Sequence, residues 1–81
     1  MEATTRKQLD AITRQVNEML SARGSSARLL VEMRNGYCAL DEGDTDGRVI
    51  RHMRAGTKTE IASAVRMIAQ GMWLTEGEYL A

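Results

Sequence analysis

Four basic side chains fall within eleven residues in the second half of the chain: Arg48, Arg51, Arg54 and Lys58. Arginine favours bidentate contact with phosphate or carboxylate groups. Arg54 and Lys58 also flank the start of a predicted helix, whose free amides and positive dipole end attract anions. The segment 48–58 is therefore a candidate anion-binding or nucleic-acid-binding site.

An acidic loop directly before this segment offers the basic side chains a simpler role. Residues 41–47 carry four acidic groups, and residues 48–58 carry four basic groups. Charges of opposite sign so close in sequence neutralise one another, which weakens the attraction for a polyanion. We therefore prefer local neutralisation over nucleic-acid binding as the role of the segment, and keep nucleic-acid binding as the alternative.

Two other sets of residues have types that could carry chemistry. Glu42, Asp44, Asp46 and Gly47 match positions 1, 3, 5 and 6 of an EF-hand calcium loop, apart from Glu at the first place. Met53, however, stands where the closing bidentate glutamate belongs. Cys38 and His52 are the chain's single cysteine and single histidine, too few for a typical zinc site. No third residue is indicated that would orient them as a catalytic pair. We predict no metal, no cofactor and no enzymatic activity.

Length and charge set the class of protein. The chain has 81 residues and a formal net charge of zero, which suits one small domain over residues 1–81 with no general attraction to nucleic acid or anionic membranes. The polar N-terminus lacks an apolar signal core, and no apolar run approaches a membrane span. The sequence therefore predicts a cytoplasmic protein without membrane contact.

Two amphipathic helices are predicted. The first covers residues 5–23 and opens with a capping box formed by Thr5 and Gln8. The second opens with the same signature at Thr57 and Glu60, and Gly71 is expected to weaken it or end it nearby. Apolar residues recur at helical spacing on one face of each helix. They are Leu9, Ile12, Val16, Met19 and Leu20 in the first helix, and Ile61, Ala64, Val65, Ile68 and Met72 in the second.

Residues 28–41 predict an antiparallel hairpin between the helices. Asn35-Gly36 suits a two-residue type I′ turn, in which both central residues need positive φ. The register from that turn places five apolar side chains on one face: Leu29, Val31, Met33, Cys38 and Leu40. Residues 48–53 predict a third strand, although their alternation is poor. The expected fold is α+β, a helix, a hairpin or three-stranded meander, and a helix, with both helices on one face of the sheet.

The C-terminal tail, residues 73–81, is unusually apolar. Its large side chains need cover from the domain's own sheet or from a second molecule. They are Trp73, Leu74, Tyr79 and Leu80. We predict that the tail forms a partner interface, and that the protein is a non-catalytic protein-binding domain acting on another protein or on its own copy as a homodimer.

Two resemblances extend this interpretation. The element order and Thr57-Lys58 at the opening of the last helix loosely resemble a double-stranded-RNA-binding domain, whose lysines contact phosphates there. Arg6-Lys7-Gln8-Leu9, Asn35-Gly36-Tyr37 and Thr57-Lys58-Thr59-Glu60-Ile61 resemble the layout of small accessory proteins of phages and prophages. The second resemblance implies an inhibitor of a host protein, such as an anti-defence or anti-CRISPR protein, acting in the host cytoplasm. It assigns no site residues.

Overall fold

A computed structural model of the chain describes residues 4–80, with side chains described for residues 4–72. The order of elements is α1 (Arg6–Ala22), β1 (Arg28–Arg34), β2 (Tyr37–Gly43), β3 (Val49–Gly56) and α2 (Lys58–Leu80). The three strands form one antiparallel sheet in the order β1-β2-β3. This confirms the predicted α+β fold and the third strand.

The core lies between the two helices and one face of the sheet, as the apolar patterns predicted. Its members come from α1, from β1 and β2, and from α2, so the two helices form one layer that covers this face of the sheet. Burial raises the pKa of the Cys38 thiol, which suits its predicted role as a small apolar core residue. The buried cluster comprises Leu9, Val16, Leu29, Cys38, Leu40, Ile61, Ala62 and Val65.

The hairpin has the predicted register but not the predicted turn. Met33 pairs with Cys38 and Val31 pairs with Leu40. Gly36 has a φ of 78°, whereas no other residue type has positive φ in the described part of the chain. The turn therefore has positive φ only at its second central residue, as in type II rather than type I′. Met33, predicted in the core layer, is 43% exposed, because it lies on an edge strand beside the turn.

The third strand covers Val49–Gly56, whereas the sequence predicted residues 48–53. Its pairing with β2 shifts register between Leu40 and Asp41 and again between Glu42 and Gly43. Each shift inserts a residue, which interrupts the alternation of faces along the strand. The two bulges explain why the apolar pattern of this segment looked poor.

The capping box at the start of α2 forms as predicted. The Thr57 hydroxyl accepts from the Glu60 N–H, and the Glu60 carboxylate accepts from the Thr57 N–H. The helix then passes through Gly71 and continues to Leu80, so the expectation that Gly71 ends it nearby is wrong. A single glycine costs only about 1 kcal/mol in a helix.

The tail predicted as an interface belongs to this helix as far as Leu80. Its key side chains, those of Trp73, Leu74, Tyr79 and Leu80, lie outside the part of the chain whose side chains are described. Over the described residues, neither helix combines the length and apolarity needed to cross a membrane.

Candidate functional site

The face of the sheet that points away from the helices carries a buried carboxylate. Asp41 is only 2% exposed, and its carboxylate lies 2.8 Å from Nδ1 of His52 and 3.5 Å from a guanidinium nitrogen of Arg34. The contacts link β1, β2 and β3 across the open face and hold the side chains of Arg34 and His52 over the middle strand.

A shallow depression of about 330 Å³ lies beside this cluster. Ala39 and Ala55 pair across β2 and β3, and their small side chains leave space between taller neighbours. The side-chain hydrogen bond with Tyr37, followed by the charge of Glu32, raises the pKa of the Arg34 guanidinium, which keeps it cationic. The depression thus combines apolar and cationic groups. It is lined by Arg34, Tyr37, Ala39, Asp41, His52, Met53, Arg54 and Ala55.

The structure divides the four predicted basic residues. Arg51 pairs with Glu42 at 3.0 Å, which is the local neutralisation expected for this segment. Asp44 instead accepts the N–H groups of Asp46 and Arg48 through its carboxylate, so it stabilises the loop backbone. Within the described residues, the side chains of Arg48, Arg54 and Lys58 form no ion pair.

The helix N-terminus proposed as an anion site already holds a carboxylate. Glu60 accepts the Thr57 N–H at 2.9 Å. Hydrogen bonds from the Thr57 backbone and side chain lower the pKa of Glu60, so the carboxylate is ionised at neutral pH. An external anion would have to compete with this internal one, which leaves Arg54 and Lys58 as flanking charges rather than as parts of a free helix-end site.

The two outer strands differ in whether a side chain bonds their outward backbone groups. Asn17 of α1 donates to the Leu29 carbonyl at 3.0 Å and accepts the Leu29 N–H at 2.7 Å. One amide side chain therefore occupies both outward backbone groups of Leu29, as a neighbouring strand would. The strand β3 has no such contact from a side chain among the described residues, and Val49 to Ala55 are exposed.

Cys38 and His52 lie on opposite faces of the sheet. Cys38 is fully buried beneath the helices, and His52 stands beside Asp41 on the open face. The strand β2 therefore separates the thiol from the imidazole. Within the described residues, no group of three histidine, cysteine, aspartate or glutamate side chains is arranged to hold a metal ion.

Sequence reasoning missed the roles of Asn17, Asp41 and Arg34. The predicted register already paired Arg34 with Tyr37 and extends to a pairing of Leu30 with Asp41, so a charge in the middle of the open face was a usable signal. The approach of His52 depends on the bulge between Leu40 and Asp41. No local residue preference predicts that bulge.

Comparison with protein-family models, with curated proteins and with solved structures found no significant match. A function for this chain must therefore be argued from its own geometry.

Proposed function

We propose that the protein is a non-catalytic binding domain that holds a protein partner on the open face of its sheet and along β3. The observation that supports this proposal most strongly is the exposure of large apolar side chains on an edge strand. Ile50 is 63% exposed, and Val49 and Met53 are exposed on the same strand. An exposed apolar patch beside a polar rim is typical of protein interaction surfaces.

Charge and shape in the same region support the proposal. Arg48 and Arg54 lie at either end of the apolar residues, and Tyr37 stands at the rim of the depression. Arginine and tyrosine are enriched among residues that contribute most to binding energy at interfaces. The side chains of Asp41 and His52 hold one another in place, so this part of the surface is ordered before a partner arrives.

A matched pair of substitutions tests this function. Met53 lines the depression, whereas Met67 lies on α2 and is 70% exposed. We expect Met53→Glu to abolish capture of the partner from lysate of the source cell, and Met67→Glu to leave it intact. Equal capture by both variants, with circular dichroism showing that both are folded, contradicts the proposal.

The same surface can bind a second copy of the chain, and sedimentation velocity distinguishes this case. A concentration-dependent dimer that Met53→Glu dissociates and Met67→Glu preserves would show that the partner is the chain itself. The resemblance of the sequence layout to phage accessory proteins, which the comparisons do not test, suggests a narrower form of the proposal, in which the partner is a host protein that the domain blocks. The contribution of Trp73, Leu74, Tyr79 and Leu80 to either interface also stays a proposal.

Nucleic-acid binding is the second candidate, and the absence of ion pairs at Arg48, Arg54 and Lys58 among the described residues favours it. A polyanion would neutralise these cations and release counterions, so affinity would fall as salt rises. We expect Arg54→Glu with Lys58→Glu to lower both the affinity and the salt slope for a duplex RNA of about 20 base pairs if this candidate is correct. No binding by the wild-type protein at low salt excludes it.

A further inference from the structure

The backbone of β3 has hydrogen-bonding groups that no described strand occupies. Successive residues of an antiparallel ladder face alternately toward one neighbour and toward the other. Leu29 faces outward to Asn17, so its neighbour Leu30 faces Asp41 on β2. Asp41 therefore bonds toward β1. Its partner on β3, His52, turns its N–H and C=O groups to the outside of the sheet.

The same alternation applies two residues nearer the turn. Ala39 bonds toward β1 through its pair with Glu32, and its partner on β3 is Ala55. The backbone groups of Ala55 consequently face outward, like those of His52. An extended chain laid beside β3 finds donors and acceptors at these two positions, as in recognition by strand addition.

The positive charge along this edge determines which kind of strand can pair with β3. Arg48 and Arg54 are exposed and form no ion pair among the described residues, whereas Arg51, also exposed, is paired with Glu42. Antiparallel pairing of β3 with β3 of a second copy would bring these cations together, and like charges opposite each other destabilise a sheet. A strand with acidic residues would instead meet complementary charge, which selects against self-pairing while admitting another partner.

Resting on the function proposed above, we infer that the partner presents an acidic, extended segment that adds to the outer edge of β3 and places an apolar side chain in the depression over Ala39. Arg54 lines that depression, so one segment meets charge, backbone and apolar surface together. The two bulges in β3 limit the pairing to a short run. The segment therefore depends on its apolar anchor as well as on backbone bonds.

Labelled peptides of ten residues provide the probe. The first has a central Trp flanked by Glu residues, the second replaces Glu by Lys, and the third replaces Trp by Ser. We expect fluorescence anisotropy to show binding of the first peptide only, with amide shifts in the NMR spectrum confined to β3 and Tyr37. N-methylation of alternate peptide amides on the bonding side should abolish binding, while methylation of the other set should not.

Two arginine substitutions provide the matched protein controls. Arg54→Glu should lower the affinity for the acidic peptide about tenfold, because repulsion replaces attraction at the interface. Arg66→Glu makes the same charge change at an exposed position on α2 and should have no effect. Both variants retain the buried core, so unfolding by denaturant should be similar for the two.

Three results overturn this inference. Each leaves the proposed function open to its own test, the comparison of Met53→Glu with Met67→Glu in partner capture. The first is equal binding of the acidic and basic peptides. The second is no amide shift in β3 at millimolar acidic peptide. The third is tighter, Arg54-dependent binding of the duplex RNA than of the acidic peptide, which would assign the surface to nucleic acid instead.

Discussion

The outward backbone groups of the two outer strands, β1 and β3, differ in what contacts them. On β1, the side chain of Asn17 bonds both outward groups of Leu29, and the pairing with β2 has no register shift. On β3, the pairing shifts twice, and the residues from Val49 to Ala55 are exposed. Edge strands invite pairing with other chains unless something blocks them. The difference indicates that a helix blocks the outer edge of β1 at Leu29, while charge and bulges make the edge of β3 selective.

The largest expected effect concerns Gly43, where β2 meets both outer strands. A Cβ at this position would clash with the Leu30 side chain of β1 and lie 2.8 Å from the Arg48 carbonyl oxygen before β3. The carbonyl belongs to the backbone and has little room to move, so we expect Gly43→Ala to lower the free energy of unfolding by about 1–3 kcal/mol.

Gly71→Ala is the matched control, because no described atom outside the neighbouring turns of its own helix lies within 4 Å of a Cβ at that position. It should raise the free energy of unfolding by up to about 1 kcal/mol. Urea denaturation measures both changes. If Gly43→Ala were as stable as the wild type, the two outer strands would not be packed around this glycine as described.

The next effect comes from removing the side chain that blocks the β1 edge at Leu29. Asn17→Ala removes two hydrogen bonds to Leu29, and we expect a loss of about 1–2 kcal/mol in the free energy of unfolding. The freed edge should also increase self-association, measured by sedimentation velocity. Gln15→Ala, at an exposed position of the same helix, should change neither. Unchanged stability of Asn17→Ala would remove the distinction between the two edges.

A smaller effect compares the two helix caps. Thr5 caps α1, which covers β1, and Thr57 caps α2, which follows β3. Replacement of either threonine by alanine should lower the free energy of unfolding by about 1 kcal/mol. Thermal unfolding of the two variants at neutral pH checks this. A loss at Thr5 alone would show that the α2 cap adds nothing to stability.

The smallest effect is a pH dependence confined to the α2 cap. The α1 cap uses the neutral amide of Gln8, whereas the α2 cap uses Glu60, whose pKa the Thr57 hydrogen bonds lower below the usual 4.5. A lowered pKa in the folded state means that the stabilisation is present above about pH 4.5 and is lost as pH falls through the lowered value.

Glu60→Gln should therefore lose less stability than the wild type between about pH 6 and about pH 3. Thermal melts at several pH values measure the difference. Glu2 and Glu78 lie outside the residues with described side chains, so the comparison uses the change between two variants rather than the wild-type curve alone. Parallel curves for both proteins would show that Glu60 does not couple to folding.

The sequence predicted the fold well where local signals agree with burial. The Thr5 and Thr57 caps, the register around Asn35-Gly36 and the apolar faces of the helices all reappear in the structure. Each of these depends on neighbours within a few residues or on a strict period. The turn geometry was missed because Asn-Gly also occurs in turns with positive φ at the glycine alone.

The candidate site was less predictable because it depends on contacts between distant residues. Asn17 reaches Leu29 across twelve positions, and His52 reaches Asp41 across eleven. The bulges that bring His52 over β2 leave no clear residue signature. The basic segment was recognised from its composition, whereas its position on an exposed edge strand could only be read from the sheet order.

Hydrogen exchange of backbone amides in the dilute protein tests the difference between the edges most directly. The Leu29 N–H donates to the side-chain amide oxygen of Asn17, so it should exchange slowly, like the amides of the ladder between β1 and β2. The outward amides of His52 and Ala55 should exchange rapidly, and the acidic peptide should slow them. Rapid exchange at Leu29, or protection of His52 and Ala55 without a partner, would contradict a sheet whose β1 edge is blocked at Leu29 and whose β3 edge is open.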